Sequence, residues 1–127
     1  MAEVFNSYRD LKVWQEAMDL AAEAYRLTQN FPKEEMYGMT AQIRRSAASV
    51  AANIAEGHGR ENTVSFVQFL RIAQGSLKEL ETHLLLADRV GVGAPAASIP
   101  LMTRCDVLGR MLRSLIRSLQ RKGERQS

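Results

Sequence analysis

The chain holds one cysteine, Cys105, among 127 residues. An internal disulfide is therefore excluded. A lone thiol fits a reducing cytoplasm, where it serves as buried apolar volume rather than as a reactive group. Histidine is as scarce, with His58 and His83 far apart in sequence. The three prolines all fall near predicted helix ends. Aromatic residues make up only 6%. No uninterrupted apolar run is long enough to cross a bilayer, which predicts no membrane partner. The Met1-Ala2-Glu3-Val4-Phe5 start has neither a basic head nor a long apolar stretch, so no secretory leader is expected. What is present is 46% hydrophobic and 24% charged residues, which suits one folded domain over residues 1–127 and argues against disorder.

The segment from Gln42 to Gly57 is built largely from alanine and serine. Ile43, Ala47, Val50 and Ile54 recur at helical spacing and form an apolar stripe. Ala48, Ala51, Ala52 and Ala55 widen it with small side chains. So slim a helix lets its neighbours approach closely and is expected at the centre of a bundle. Gly57 is expected to end it in a left-handed conformation.

Three more helices follow from the same reasoning. The first is expected to be capped by Asp10, whose carboxylate can accept from free amides. Leu11, Trp14, Met18, Ala21 and Tyr25 share one face of it, with Ala17, Leu20, Ala24 and Leu27 as a second strip. Asn30-Phe31-Pro32-Lys33 breaks it. The third helix, capped by Asn62 or Thr63, has a heptad-like seam of Phe66, Phe69, Ala73, Leu77, Leu80, Leu84 and Ala87. Gly75 interrupts it at a cost of about 1 kcal/mol relative to alanine. Close contact with the alanine-rich helix is the expected reason. The fourth begins near Pro95 or Pro100 and buries Leu101, Leu108, Leu112, Leu115 and Leu119. Residues from Gly123 onward are expected to fray. The helices are placed at about 10–29, 36–56, 63–90 and 98–121, which predicts an all-α, antiparallel up-down-up-down four-helix bundle.

Several short patterns coincide along this frame. They are Asp10-Leu11-Lys12-Val13-Trp14-Gln15, Phe31-Pro32 before an acidic pair, Gln42-Ile43-Arg44-Arg45, Asn53-Ile54-Ala55-Glu56-Gly57, and Gly75-Ser76-Leu77-Lys78-Glu79-Leu80. Together they resemble the four-helix-bundle family named after proteins encoded in intervening sequences of bacterial 23S rRNA genes. The resemblance runs from about Phe5 to Leu119 and implies a homopentamer. It also implies a distant relation to the accessory protein of diversity-generating retroelements, a basic pentamer that binds nucleic acid and a reverse transcriptase. The family has no established catalytic residues, so none is transferred. Bottom-up, the wide apolar sectors of the first and third helices predict a homo-oligomer without fixing its number.

Signals of catalysis are thin, and no cofactor is expected. A di-iron bundle needs paired glutamate-x-x-histidine motifs. Here Glu79 and His83 are four apart, Glu81 and His83 two apart, and there is no second copy. No metal site is expected. There is no glycine-rich phosphate loop after a strand. Asn53 and Glu56 admit two readings. They are a ligand site, or they bond to loop amides and the start of the third helix and so fix the 57–62 turn.

Charge is the clearest feature. The sum is +3, but residues 1–60 hold seven basic and eight acidic side chains, while residues 61–127 hold ten and six. Arg110, Arg113, Arg117 and Arg121 are spaced by three, four and four, so they stack on one helix face. At about 100° per residue they fall opposite the leucine stripe. Such a row can follow a phosphate backbone of RNA or DNA, without base reading because aromatic side chains are absent from this helix. It can equally be a solvated face, or pair with carboxylates of a neighbouring subunit. A protein-binding scaffold is the competing function.

Overall fold

The computed structural model describes residues 7–126, the last three as backbone only. The expectations on Met1–Phe5 and on Ser127 lie outside them. Four helices account for most of the chain: α1 (Lys12–Thr28), α2 (Met39–Gly59), α3 (Thr63–Arg89) and α4 (Ile99–Gln126). Short 3₁₀ turns at Tyr8–Asp10 and Lys33–Glu35 precede α1 and α2. No strand occurs among the described residues.

The side-chain register shows that neighbouring helices run antiparallel. Between α2 and α3, Arg45 bonds to Glu79, Ser49 to Ser76, and Gly57 lies against Phe66 and Phe69. Numbers rise on one helix as they fall on the other. Between α3 and α4, Leu77 lies beside Gly109, and the Thr63–Gln68 turn beside Leu119 and Gly123. Between α1 and α4, Leu27 lies beside Ser98, while Glu16 and Glu23 reach Arg104. Each helix contacts its sequence neighbours, and α1 closes the ring on α4.

One apolar cluster fills the centre. The stripe of α2 is buried as expected, with Ile43, Ala47, Val50 and Ile54 fully shielded. So is most of the α3 seam, from Ala73 to Ala87, with Leu70 taking the place assigned to Phe69. On α4 the buried row is Leu101, Cys105, Leu108, Leu112 and Ile116, while Leu115 and Leu119 are half-buried at its edge.

Several expectations are corrected. On α1 the core side is the strip of smaller residues, Ala17, Leu20 and Ala24, joined by Val13. The strip with Trp14 lies at the boundary, where Met18 and Tyr25 are each 45% exposed. Both strips have helical period, and small residues win the centre because they let α1 approach its partners. The N-cap of α1 is Leu11, which offers no side-chain bond, since Asp10 is absorbed into the preceding 3₁₀ turn. Helix α2 does not stop at Gly57. That residue is buried inside it, and the left-handed conformation falls on Glu61, at φ 59°. Nor is α2 surrounded: Ala48 and Ala52 face outward. Asn62 does cap α3, its side chain accepting from the Ser65 amide at 2.9 Å. Finally, α4 continues through the stretch expected to fray.

Candidate nucleic-acid interface

Helix α4 carries its arginines where the spacing places them. Arg110, Arg113, Arg117 and Arg121 are all exposed, on the side away from Leu108 and Leu112. With Ser114 they line one open depression of about 490 Å³. None of the four makes an ion pair or hydrogen bond among the described side chains. Ser114 was not anticipated, although its position between Arg110 and Arg117 on the same face is readable from the period. The one acid of α4 with a described side chain is Asp106, and it is unpaired with Arg110 four residues on, so the face stays cationic.

Several cations elsewhere have partners. Arg104, also on α4, points toward α1 and pairs with Glu23 at 2.6 Å and Glu16 at 3.9 Å. Arg44 donates to Thr28 Oγ1 at 2.8 Å and lies 4.7 Å above the Tyr25 ring. Arg45 pairs with Glu79 across α2 and α3, and His83 Nε2 lies 3.5 Å from the same carboxylate. The hydrogen bond from Arg45 holds the Glu79 carboxyl below its ordinary value, against a smaller opposing effect of desolvation. Lys78 pairs with Glu81 on its own helix at 3.2 Å. The arginine row differs from these paired residues in geometry, while Lys12, Arg26, Lys33, Arg71 and Arg89, also exposed, are scattered over other elements rather than aligned on one face.

The polar residues of the 53–62 region do structural work different from that expected. Asn53 turns back along α2, donating to Ser49 O at 2.8 Å and Ser49 Oγ at 3.0 Å. Ser49 Oγ in turn meets Ser76 Oγ of α3 at 2.8 Å. Asn53 therefore braces the α2–α3 seam and does not tie down the turn. Glu56 accepts from Arg60 at 2.8 Å, one helical turn on, with both side chains about half exposed. It does not reach the start of α3. At Gly57 α2 and α3 touch closely: a Cβ there would stand 2.6 Å from Phe69 Cβ. Gly75 is the reverse case. It is exposed, and a Cβ there would meet nothing within 4 Å. The small-side-chain contact with α2 falls one residue later, at Ser76.

No group of three or more His, Cys, Asp or Glu able to hold a metal ion occurs among the described residues. Cys105 is buried, and desolvation pushes its thiol up to about 12, so it stays protonated at neutral pH. No helix among the described residues is long and apolar enough to cross a membrane.

The fold and this surface define a class: an all-α four-helix bundle carrying a row of four arginines, unpaired among the described side chains, on one helix face. Its particular family is settled by comparison. The chain belongs to the 23S rRNA-intervening sequence protein family, whose model matches residues 9–114. Among solved structures it is similar to a protein with unknown function from the S23 ribosomal protein family of Bacteroides thetaiotaomicron VPI-5482. That likeness has 24% identity and a TM-score of 0.72, covering 82% of this chain and 97% of the other. At this identity it shows a shared fold. No match was found among curated proteins.

Proposed function

We propose that this protein is a non-catalytic, oligomeric binding protein of the cytoplasm. In this reading the α4 arginine face holds RNA or DNA weakly, through the phosphate backbone and without sequence preference. The observation that carries the reading is the row itself: four exposed guanidinium groups on one helix face, none paired among the described side chains. Guanidinium groups match phosphate geometry and keep their charge at all relevant pH. Repeating the row by symmetry would multiply the field around the assembly.

Self-association is supported by apolar surface left uncovered in the single chain. Ile72, Leu86 and Val90 align along the outer side of α3, at 50%, 45% and 59% exposure. Ala48 and Ala52 are also exposed on the outer side of α2, between Arg45 and Glu56. The family resemblance supplies the number five. Light scattering at micromolar concentration should give a multiple of the 14.2 kDa chain; the mass of one chain refutes the assembly.

The binding reading is tested by fluorescence anisotropy at low salt. Wild type should bind a labelled RNA strand, and Arg113→Glu/Arg117→Glu/Arg121→Glu should not. Equal binding by both, or none by either, makes the row a solubilising surface. The protein-scaffold function then takes first place.

A further inference from the structure

Arg113 belongs to two concavities. On one side it lines the arginine depression. On the other it borders an open groove of about 280 Å³ between α3 and α4, whose remaining walls are Gln74, Gly75, Leu77, Lys78 and Gly109. The groove owes its depth to two glycines in helix interiors. Neither is demanded by packing. A Cβ at Gly75 meets nothing within 4 Å, and one at Gly109 makes an ordinary 3.6 Å contact with Leu77. Each glycine nonetheless costs its helix about 1 kcal/mol relative to alanine.

The geometry of the row also says what kind of nucleic acid fits. Arg110 to Arg121 spans about 16 Å at the usual helical rise, as a single line with steps near one turn. A single line serves one run of phosphates rather than two strands across a groove. Resting on the arginine-face reading, we infer that the row takes a single strand, and that the α3/α4 groove seats one of its unpaired bases while the adjoining phosphate stays on Arg113. The base would lie over the exposed Gly75, with the Arg113 guanidinium plane against it and the Gln74 amide at its edge. Lys78, paired with Glu81, closes the far wall. The groove is below the usual size of about 300–1,000 Å³ for drug-sized ligands, and it suits one base. A partner helix fits it less well, because cationic side chains flank it and its one large apolar lining residue, Leu77, is itself buried. A base held in duplex cannot enter without leaving its stack.

The experiment compares oligoadenylate RNA with an abasic strand of equal length and charge, by anisotropy at low salt. Wild type should bind the oligoadenylate about tenfold more tightly, the scale of one base contact. Gly75→Leu, which fills the groove without touching the core, should weaken oligoadenylate to the abasic level. Its binding of the abasic strand and its oligomeric mass should stay unchanged, and its unfolding temperature should not fall, since leucine is a better helix former than glycine. Wild type binding both strands equally overturns the base site and leaves the arginine row standing. So does a Gly75→Leu protein that keeps the full preference. A change of mass in that variant puts a second copy in the groove and also overturns it. No binding of either strand by wild type overturns the arginine-face reading with it.

Discussion

The α2–α3 seam and the outer face of α4 are opposites. Along the seam, polar side chains find partners in the neighbouring helix or their own. Arg45 meets Glu79, Ser49 meets Ser76, and Asn53 donates to Ser49. At its end the two backbones close on Gly57 until no added carbon fits. Along α4, four arginines share one face and pair with nothing among the described side chains. The seam is a solved packing problem within one chain. The α4 face is charged surface with no partner among the described side chains, which is what the proposed polyanion contact requires.

The comparison breaks most readily at the two glycines. Gly57→Ala forces Phe69 Cβ and its backbone aside, since the added carbon would stand 2.6 Å away. Overpacking of this kind typically costs about 1–3 kcal/mol, to be read from chemical denaturation. An unchanged midpoint would show that the seam gives way more easily than its geometry suggests. Gly75→Ala should act in the opposite direction. It meets open space and replaces a flexible residue in a helix, a gain of up to about 1 kcal/mol. A loss of stability there would restore the close contact with α2 that the structure removes.

The smallest effect is electrostatic. The Glu79 carboxyl is held below its ordinary value, mainly by Arg45. Ionised Glu79 therefore adds stability above the ordinary carboxylate range, and that share is lost as pH falls through its lowered folded value. Both partners are well exposed, so the share should be below about 1 kcal/mol. Comparing wild type with Arg45→Met/Glu79→Gln across this acid range checks it. Parallel stability curves would show that the pair contributes nothing measurable.

Much of this was legible in the sequence, for identifiable reasons. Periodicity determined the helices and the central rows of α2 and α3, because burial of a helix face leaves a repeat that no other structure imitates. The arginine row was legible for the same reason, read on the opposite face. Helix ends and glycine roles were not. A glycine near a helix end reads as a terminator, yet Gly57 is inside α2, and Glu61 adopts the left-handed turn. The difference lies in Phe66 and Phe69 on another helix, which local sequence does not place. Gly75 was assigned to a close contact that belongs to Ser76, one residue and about 100° around the helix. Gly109 interrupts α4 as Gly75 interrupts α3, at the same cost in helix propensity. On α1, two strips of equal period competed, and only the packed structure shows that the one with smaller residues faces inward.

The central proposal is that phosphates pair with the α4 arginines, which have no partner among the described side chains. It is tested most directly by the salt dependence of binding to a single-stranded RNA, measured on wild type and on Arg113→Glu/Arg117→Glu/Arg121→Glu. Each phosphate neutralised on a single strand contributes about 0.7 to the slope of log affinity against log salt. Four arginines in one row predict a wild-type slope near −3, and the variant should lose about 2 of it or bind too weakly to measure. A flat wild-type slope, or the same slope in both proteins, would contradict the account.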